Sequence, residues 1–187
     1  MPRRSSRTFP LSLLTLLALG CGSREPHRAS VDGRVVGAVS PAADSAAAFA
    51  QHFYDWYVRD TMAGFEAVVR DSGALFAPEL LSALREDLAA SAAHPDEIVG
   101  LDWDPFVASQ DPCPVYLVGH PTERDGRVLV PVTGKCGERP AGAGPDVIAE
   151  LVRQGPAWAF SNFRHGSDSG SVLSDLAQLK RERGEHR

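Results

Sequence analysis

"LDWDPFVASQD" occupies residues 101–111, and the hydrophobic period changes across it. Upstream, apolar residues recur every three to four positions; downstream they alternate or run in short β-branched blocks. Helices first and antiparallel hairpins afterwards predict an α+β domain, not the alternating order of a parallel sheet. The segment sets Asp102, Asp104 and Asp111 around Trp103, Phe106 and Gln110. Two readings are open: a carboxylate cluster for a cation or for acid/base work, or a structural turn with two aromatic anchors. Asp-Pro opens turns and aspartates cap backbone amides, which favours the turn. The calcium-loop pattern is not met, because the sixth place from Asp102 holds Val107, not glycine, and the twelfth holds Cys113, not glutamate.

Working back from this segment, "DSAAAFAQHFYDWYVRD" (44–60) reads as a helix. Phe49, Phe53, Trp56 and Tyr57 form one apolar stripe at helical spacing, and Ala50, Tyr54 and Val58 a second. Gln51, Asp55 and Arg59 fall toward the wetter face. A second helix is expected from Pro78, whose fixed φ suits a first turn, with Leu80 or Leu81, Leu84 and Leu88 inward and "HPDE" closing it. Residues 61–77 read as a short helix plus turn.

Working forward, "PVYLVGHP" and "RVLVPV" flank a turn at Asp125-Gly126, a strong hairpin signal. Pro131, which lacks an N–H, places the second strand at an edge or a bulge. "DVIAELV" and "AWAFSNF" around "RQGP" predict a second hairpin. "SVLSDLAQLKRERG" predicts a closing helix with Val172, Leu176 and Leu179 on one face, Lys180, Arg181 and Arg183 near its negative end, and Gly184 at its exit. A turn centred near Asp125 sets Cys113 across from residue 137, one position from Cys136. The pairing predicts a disulfide at the hairpin base; two buried thiols or a metal site are the alternatives. For a metal, neither cysteine has a CxxC partner or a spaced histidine pair.

The first twenty residues, "MPRRSSRTFPLSLLTLLALG", have a basic start, an apolar run from Leu11 to Leu19 and small residues at the end, the outline of a secretory signal peptide. The run is about half of what a spanning helix needs. Gly20-Cys21, with Ala18 and Leu19 before it, resembles the lipobox of bacterial lipoproteins, although Ala18 stands where leucine is usual. The resemblance implies that Cys21 is acylated and becomes the first residue. Gly22, not aspartate, follows it, so the signal for retention at the inner membrane is missing. The expected organisation is a signal peptide at 1–20, lipidated Cys21 and a tether to residue 44, and one α+β domain at 45–187. A short strand at Val35-Val36 is the alternative for part of the tether.

The net charge is -5, and removing residues 1–20 takes away Arg3, Arg4 and Arg7, leaving about -8. So acidic a chain argues against a nucleic-acid binder, which needs a basic face, and also against electrostatic docking on anionic lipid. Partners are therefore expected to be the bilayer, through acylated Cys21, and a protein or small ligand.

"FYDWYV", "DWDPFVASQD" and "PAWAFSNFRHG" resemble a family of uncharacterised bacterial secreted proteins and lipoproteins, domain of unknown function 3828. The positions that carry this are Phe53, Tyr54, Trp56, Tyr57, Asp104, Pro105, Phe106, Gln110 and Asp111, within residues 45–165. The resemblance implies a fold similar to nuclear transport factor two and cystatin: helices packed in the cone of a curved antiparallel sheet. It implies no activity. No Ser-His-Asp order, HExxH, P-loop or glycine-rich nucleotide turn is present, so no catalytic residue, cofactor or metal is assigned. The leading expectation is a binding domain with Tyr54, Asp55, Asp102, Asp104, Gln110 and Asp111 near the mouth of the cone. One alternative is an isomerase- or dehydratase-like enzyme using Asp55 or Asp104 with Tyr54 or His52. Another is a structural envelope protein.

Overall fold

Ser40 opens the first helix: its hydroxyl accepts the Ala43 amide at 3.1 Å, and Pro41 follows at the first helical position. The computed structural model describes residues 40–60, 64–166 and 170–185; Cys21, the tether up to residue 39 and the Val35-Val36 alternative lie outside them. Helix α1 runs Pro41–Asp60, so residues 41–44 belong to the helix and not to the tether. Helix α2 (Gly64–Asp71) and a 3-10 turn (Gly73–Leu75) lead to α3 (Pro78–Ala93). Strands β1 (Tyr116–Val118), β2 (Thr122–Arg124), β3 (Arg127–Gly134), β4 (Val147–Gln154) and β5 (Ala157–His165) follow, and α4 (Val172–Glu185) comes last. Among the described residues the fold is α+β, with four α-helices and an open, five-stranded antiparallel sheet.

The sheet runs β1-β3-β4-β5, with β2 sharing the β1 side of β3. Both predicted hairpins form. Asp125 and Gly126 have φ of 52° and 74° between Arg124 and Arg127, the two left-handed residues of a type I′ turn. Gly155, at φ 59° ahead of Pro156, turns β4 into β5. Strand β3 is interior, not an edge. Pro131 is tolerated because it lies opposite the break between β1 and β2: from Val118 to Thr122 the chain takes four steps while β3 takes three, from Val132 to Leu129. There its carbonyl still accepts the Gly119 amide at 2.8 Å.

Alternate residues of β3 (Val128, Val130, Val132) and of β4 (Val147, Ala149, Leu151) are buried on one face. A bulge at Ser161 changes the parity of β5, since Glu150 pairs with Asn162 but Leu151 with Phe160. That extra residue turns both Phe160 and Phe163 inward. On α3 the buried row is Leu80, Leu84 and Asp87, with Leu88 only half-buried. Asp87 accepts Arg183 from α4 at 2.5 Å and the Leu101 amide at 2.9 Å, so a buried charge ties α4 to α3. The Sγ atoms of Cys113 and Cys136 are 2.02 Å apart, disulfide distance, at the predicted hairpin base. Gly134 lies under them, and a Cβ there would stand 2.6 Å from Cys113 Sγ.

The exposed edge of β1 is closed by a side chain. Gln51 of α1 donates through Nε2 to the Tyr116 carbonyl (3.0 Å) and accepts the Val118 amide through Oε1 (2.9 Å). Its carboxamide stands in for one peptide unit of a missing neighbour strand. Gln51→Ala leaves both groups of β1 unpaired and is expected to lower unfolding stability by about 1–3 kcal/mol. The check is a urea titration, in which the midpoint falls with the slope unchanged; an unchanged midpoint would mean that water replaces the amide without loss.

Candidate functional site

Two tyrosines three residues apart on α1 reach the same loop. Tyr54 and Tyr57 are both buried, and a buried phenol needs a partner for its hydroxyl. Tyr54 Oη donates to the Phe106 carbonyl at 2.8 Å, and Tyr57 Oη donates to Asp104 Oδ2. The other carboxylate oxygen, Oδ1, accepts the Phe106 amide at 2.9 Å. The Asp104 amide in turn donates to the Ser109 carbonyl at 3.0 Å, and Ala108 takes φ 52°, so residues 104–109 close into a tight turn. Its purpose in packing terms is to seat Phe106, which is fully buried.

Phe106 stacks on Phe76 (5.2 Å between ring centroids) and meets Phe53, Tyr57, Phe65 and Phe163 at 5.1 to 6.3 Å. These rings come from α1, α2, the segment after the 3-10 turn, and β5. The space between helices and sheet is thus filled by aromatic side chains, whose offset and edge contacts add to burial. Trp103, the second expected anchor, is half-buried, with its ring 5.1 Å from that of His165.

The electrostatics follow from this burial. Asp104 has its pKa raised, chiefly by desolvation; the hydrogen bonds from Tyr57 and from the Phe106 and Val107 amides oppose the shift, and Glu66 adds to it. Tyr57 is held protonated far above its ordinary value by burial first and by Asp104 second. Tyr54 is raised by the same two causes.

The six residues expected at a binding mouth take different places. Tyr54 and Asp104 meet within the turn just described. Asp55 is exposed and accepts Gln51 Nε2 at 2.9 Å. Asp102, Gln110 and Asp111 are exposed at the rim of the loop; Gln110 donates to the Asp102 carbonyl at 3.1 Å, and the Asp111 amide donates to Ser109 Oγ at 3.0 Å. None of the six lines either of two surface concavities among the described residues. The larger, about 900 Å³, lies between α3 and α4 beside Ala90, Ala93, Ile98 and Leu179. The smaller, about 540 Å³, lies beside Ala108, Arg139, Asp146 and His165. Among the described residues no three His, Cys, Asp or Glu side chains converge as a metal site requires, and no helix is long and apolar enough to cross a membrane.

The role of Tyr57 was readable only as packing from its place in an apolar stripe; its hydroxyl, one turn from that of Tyr54, was the missed signal. A second missed feature is Glu150, a lone charge in the apolar run "VIAELV". It is buried on β4 with Arg127 and Arg164 on either side. No protein-family model matches the chain, and no curated protein or solved structure does either.

Because Asp104 binds its proton more tightly in the fold than in the unfolded chain, the stability it contributes is greatest below the ordinary value of 3.8 and falls as pH rises through the raised value. The stability difference between the parent and Asp104→Asn should therefore shift against the parent as pH is raised from about 4 to about 7. Urea midpoints of the two proteins across that range test this, and a difference that moved the other way would contradict the assigned direction. Tyr57→Phe, which removes one donor from a half-buried carboxylate, should cost about 1–3 kcal/mol.

Proposed function

We propose that this chain is a lipoprotein of the outer membrane, held on the periplasmic side by acylated Cys21, whose domain binds a protein partner through its surface. The observation that carries the binding part is the aromatic filling around Phe106. A ligand-binding or catalytic cone needs an open apolar pocket with a few convergent polar groups, and here the rings of Phe53, Tyr57, Phe76, Phe106 and Phe163 take that space. The small-ligand reading loses ground for that reason. So does an isomerase- or dehydratase-like enzyme, since both Asp104 oxygens hold structural hydrogen bonds and Asp55 lies on the exposed face of α1.

The anchoring part rests on the sequence. A basic start, a short apolar run and Gly20-Cys21 suit export and lipidation, and several acyl chains hold a protein durably where one does not. The Cys113–Cys136 pair at disulfide distance fits an oxidising compartment and leaves Cys21 as the odd cysteine. The likeness to domain of unknown function 3828, with its cone-shaped sheet, fits the antiparallel sheet and the helices that precede it.

Intact-mass measurement of protein extracted from its native envelope tests the anchor. The expected chain begins at Cys21 and carries diacylglyceryl and N-acyl additions. It should show no titratable thiol when unfolded without reductant, and two after reduction. An intact Met1, an unmodified Cys21 or two thiols before reduction would overturn the assignment.

A further inference from the structure

On the sheet face opposite the buried valines, three charged side chains form a diagonal row across three strands: Arg127 on β3, Glu150 on β4 and Arg164 on β5. Glu150 stands at its centre, opposite Leu129 on one side and Asn162 on the other. Its side chain is 4% exposed, whereas those of Arg127 and Arg164 are 47% and 48% exposed. Each carboxylate oxygen takes one guanidinium: Arg127 Nε lies 3.4 Å from Oε2, and Arg164 Nε bonds Oε1. The terminal Nη groups of both arginines make no hydrogen bond among the described residues.

One buried carboxylate requires one countercharge to offset its desolvation. Here there are two, so the row carries a surplus positive charge on a chain whose net charge is -5. Glu150 holds Arg164 by a hydrogen bond at Nε and Arg127 by an ion pair at Nε, which tethers both guanidiniums while their side chains stay half-exposed. Guanidinium forks held in this way suit a second carboxylate, which they bind in bidentate geometry, and the ordering cost is already met by the fold. Half-buried Leu129, Pro131 and Ile148 on the same face supply apolar contact beside the charge. Arginine next to apolar surface is the composition enriched at protein interfaces.

We propose that the Arg127–Glu150–Arg164 row is a carboxylate-binding site at which the domain docks an aspartate or glutamate of its protein partner. Glu150 is its positioning residue. This rests on the partner-binding reading above and specifies the surface and the chemistry that the partner must present.

The test uses the full processed protein and two blocked tripeptides, Leu-Glu-Leu and Leu-Gln-Leu, at constant ionic strength, with inorganic phosphate as a third probe. The readout is the Nε–H NMR resonances of Arg127 and Arg164. The glutamate peptide should move both with a dissociation constant in the millimolar range, and the glutamine peptide should bind at least about tenfold more weakly, the loss of one charge-assisted pair. Arg127→Lys with Arg164→Lys keeps the charge and removes the forks, and should weaken the glutamate peptide about fivefold or more while the fold and the Cys113–Cys136 bridge persist. Equal binding of the two peptides, silence of both resonances, or full binding by the double-lysine protein would overturn the site. Phosphate binding more tightly than the glutamate peptide would overturn its assignment to carboxylates. Cross-linking of the protein to a partner in the native envelope, with these peptide results negative, would leave the partner-binding reading standing and remove only this surface.

Discussion

The fold depends on a half-buried carboxylate held between a helix and its own turn. Asp104 sits where the helical half of the chain meets the sheet, and both of its oxygens are satisfied, one by a tyrosine of α1 and one by the backbone of its own turn. Desolvation alone would make such a group costly. The hydrogen bonds offset that cost and also fix the turn geometry, and the turn geometry aims Phe106 inward. Burying a phenylalanine is worth roughly 1.5–3 kcal/mol, and Phe106 contacts rings from elements on both sides of the core. The polar clamp and the aromatic cluster therefore support each other: without the clamp the ring is misplaced, and without the ring the half-buried carboxylate has no compensating apolar gain.

The sheet is completed by local irregularities. A one-residue excess between β1 and β2 makes room for Pro131 inside the sheet, a bulge at Ser161 brings two phenylalanines to one face, and the Gln51 carboxamide finishes the outer edge. On the far side of β5 the Ala77 amide donates to the Phe160 carbonyl at 2.8 Å, so that edge is partly occupied as well. Unpaired strand edges invite association with other chains, and here both outer edges are partly closed from within the domain.

Much of this was legible in the sequence because it rests on period and turn chemistry. The stripes of α1, the Asp125-Gly126 hairpin and the Cys113–Cys136 pairing each follow from local spacing. What stayed hidden depends on contacts between residues far apart in the chain. Pro131 excludes an ordinary central strand, yet the β1–β2 break that admits it is visible only in the strand register. Gln51 reads as a surface residue of a helix until the edge of β1 is set beside it. Asp87 breaks the expected leucine row on α3 because its partner, Arg183, lies 96 residues further on. Asp104 was readable as either a ligand or a cap, and the hydroxyl of Tyr57, 47 residues away, is what places it in a turn.

A core closed in this way leaves no open apolar mouth around Phe106, and the account stands or falls on whether the 104–109 turn belongs to the core. Native-state hydrogen exchange of the Phe106 amide is the most direct measurement, because its acceptor is the Asp104 carboxylate. The account predicts that this amide exchanges only with global unfolding, as slowly as those of Val130 and Ala149 in the central strands. Exchange orders of magnitude faster, through local opening of the loop, would contradict it and restore the open mouth that the aromatic core excludes.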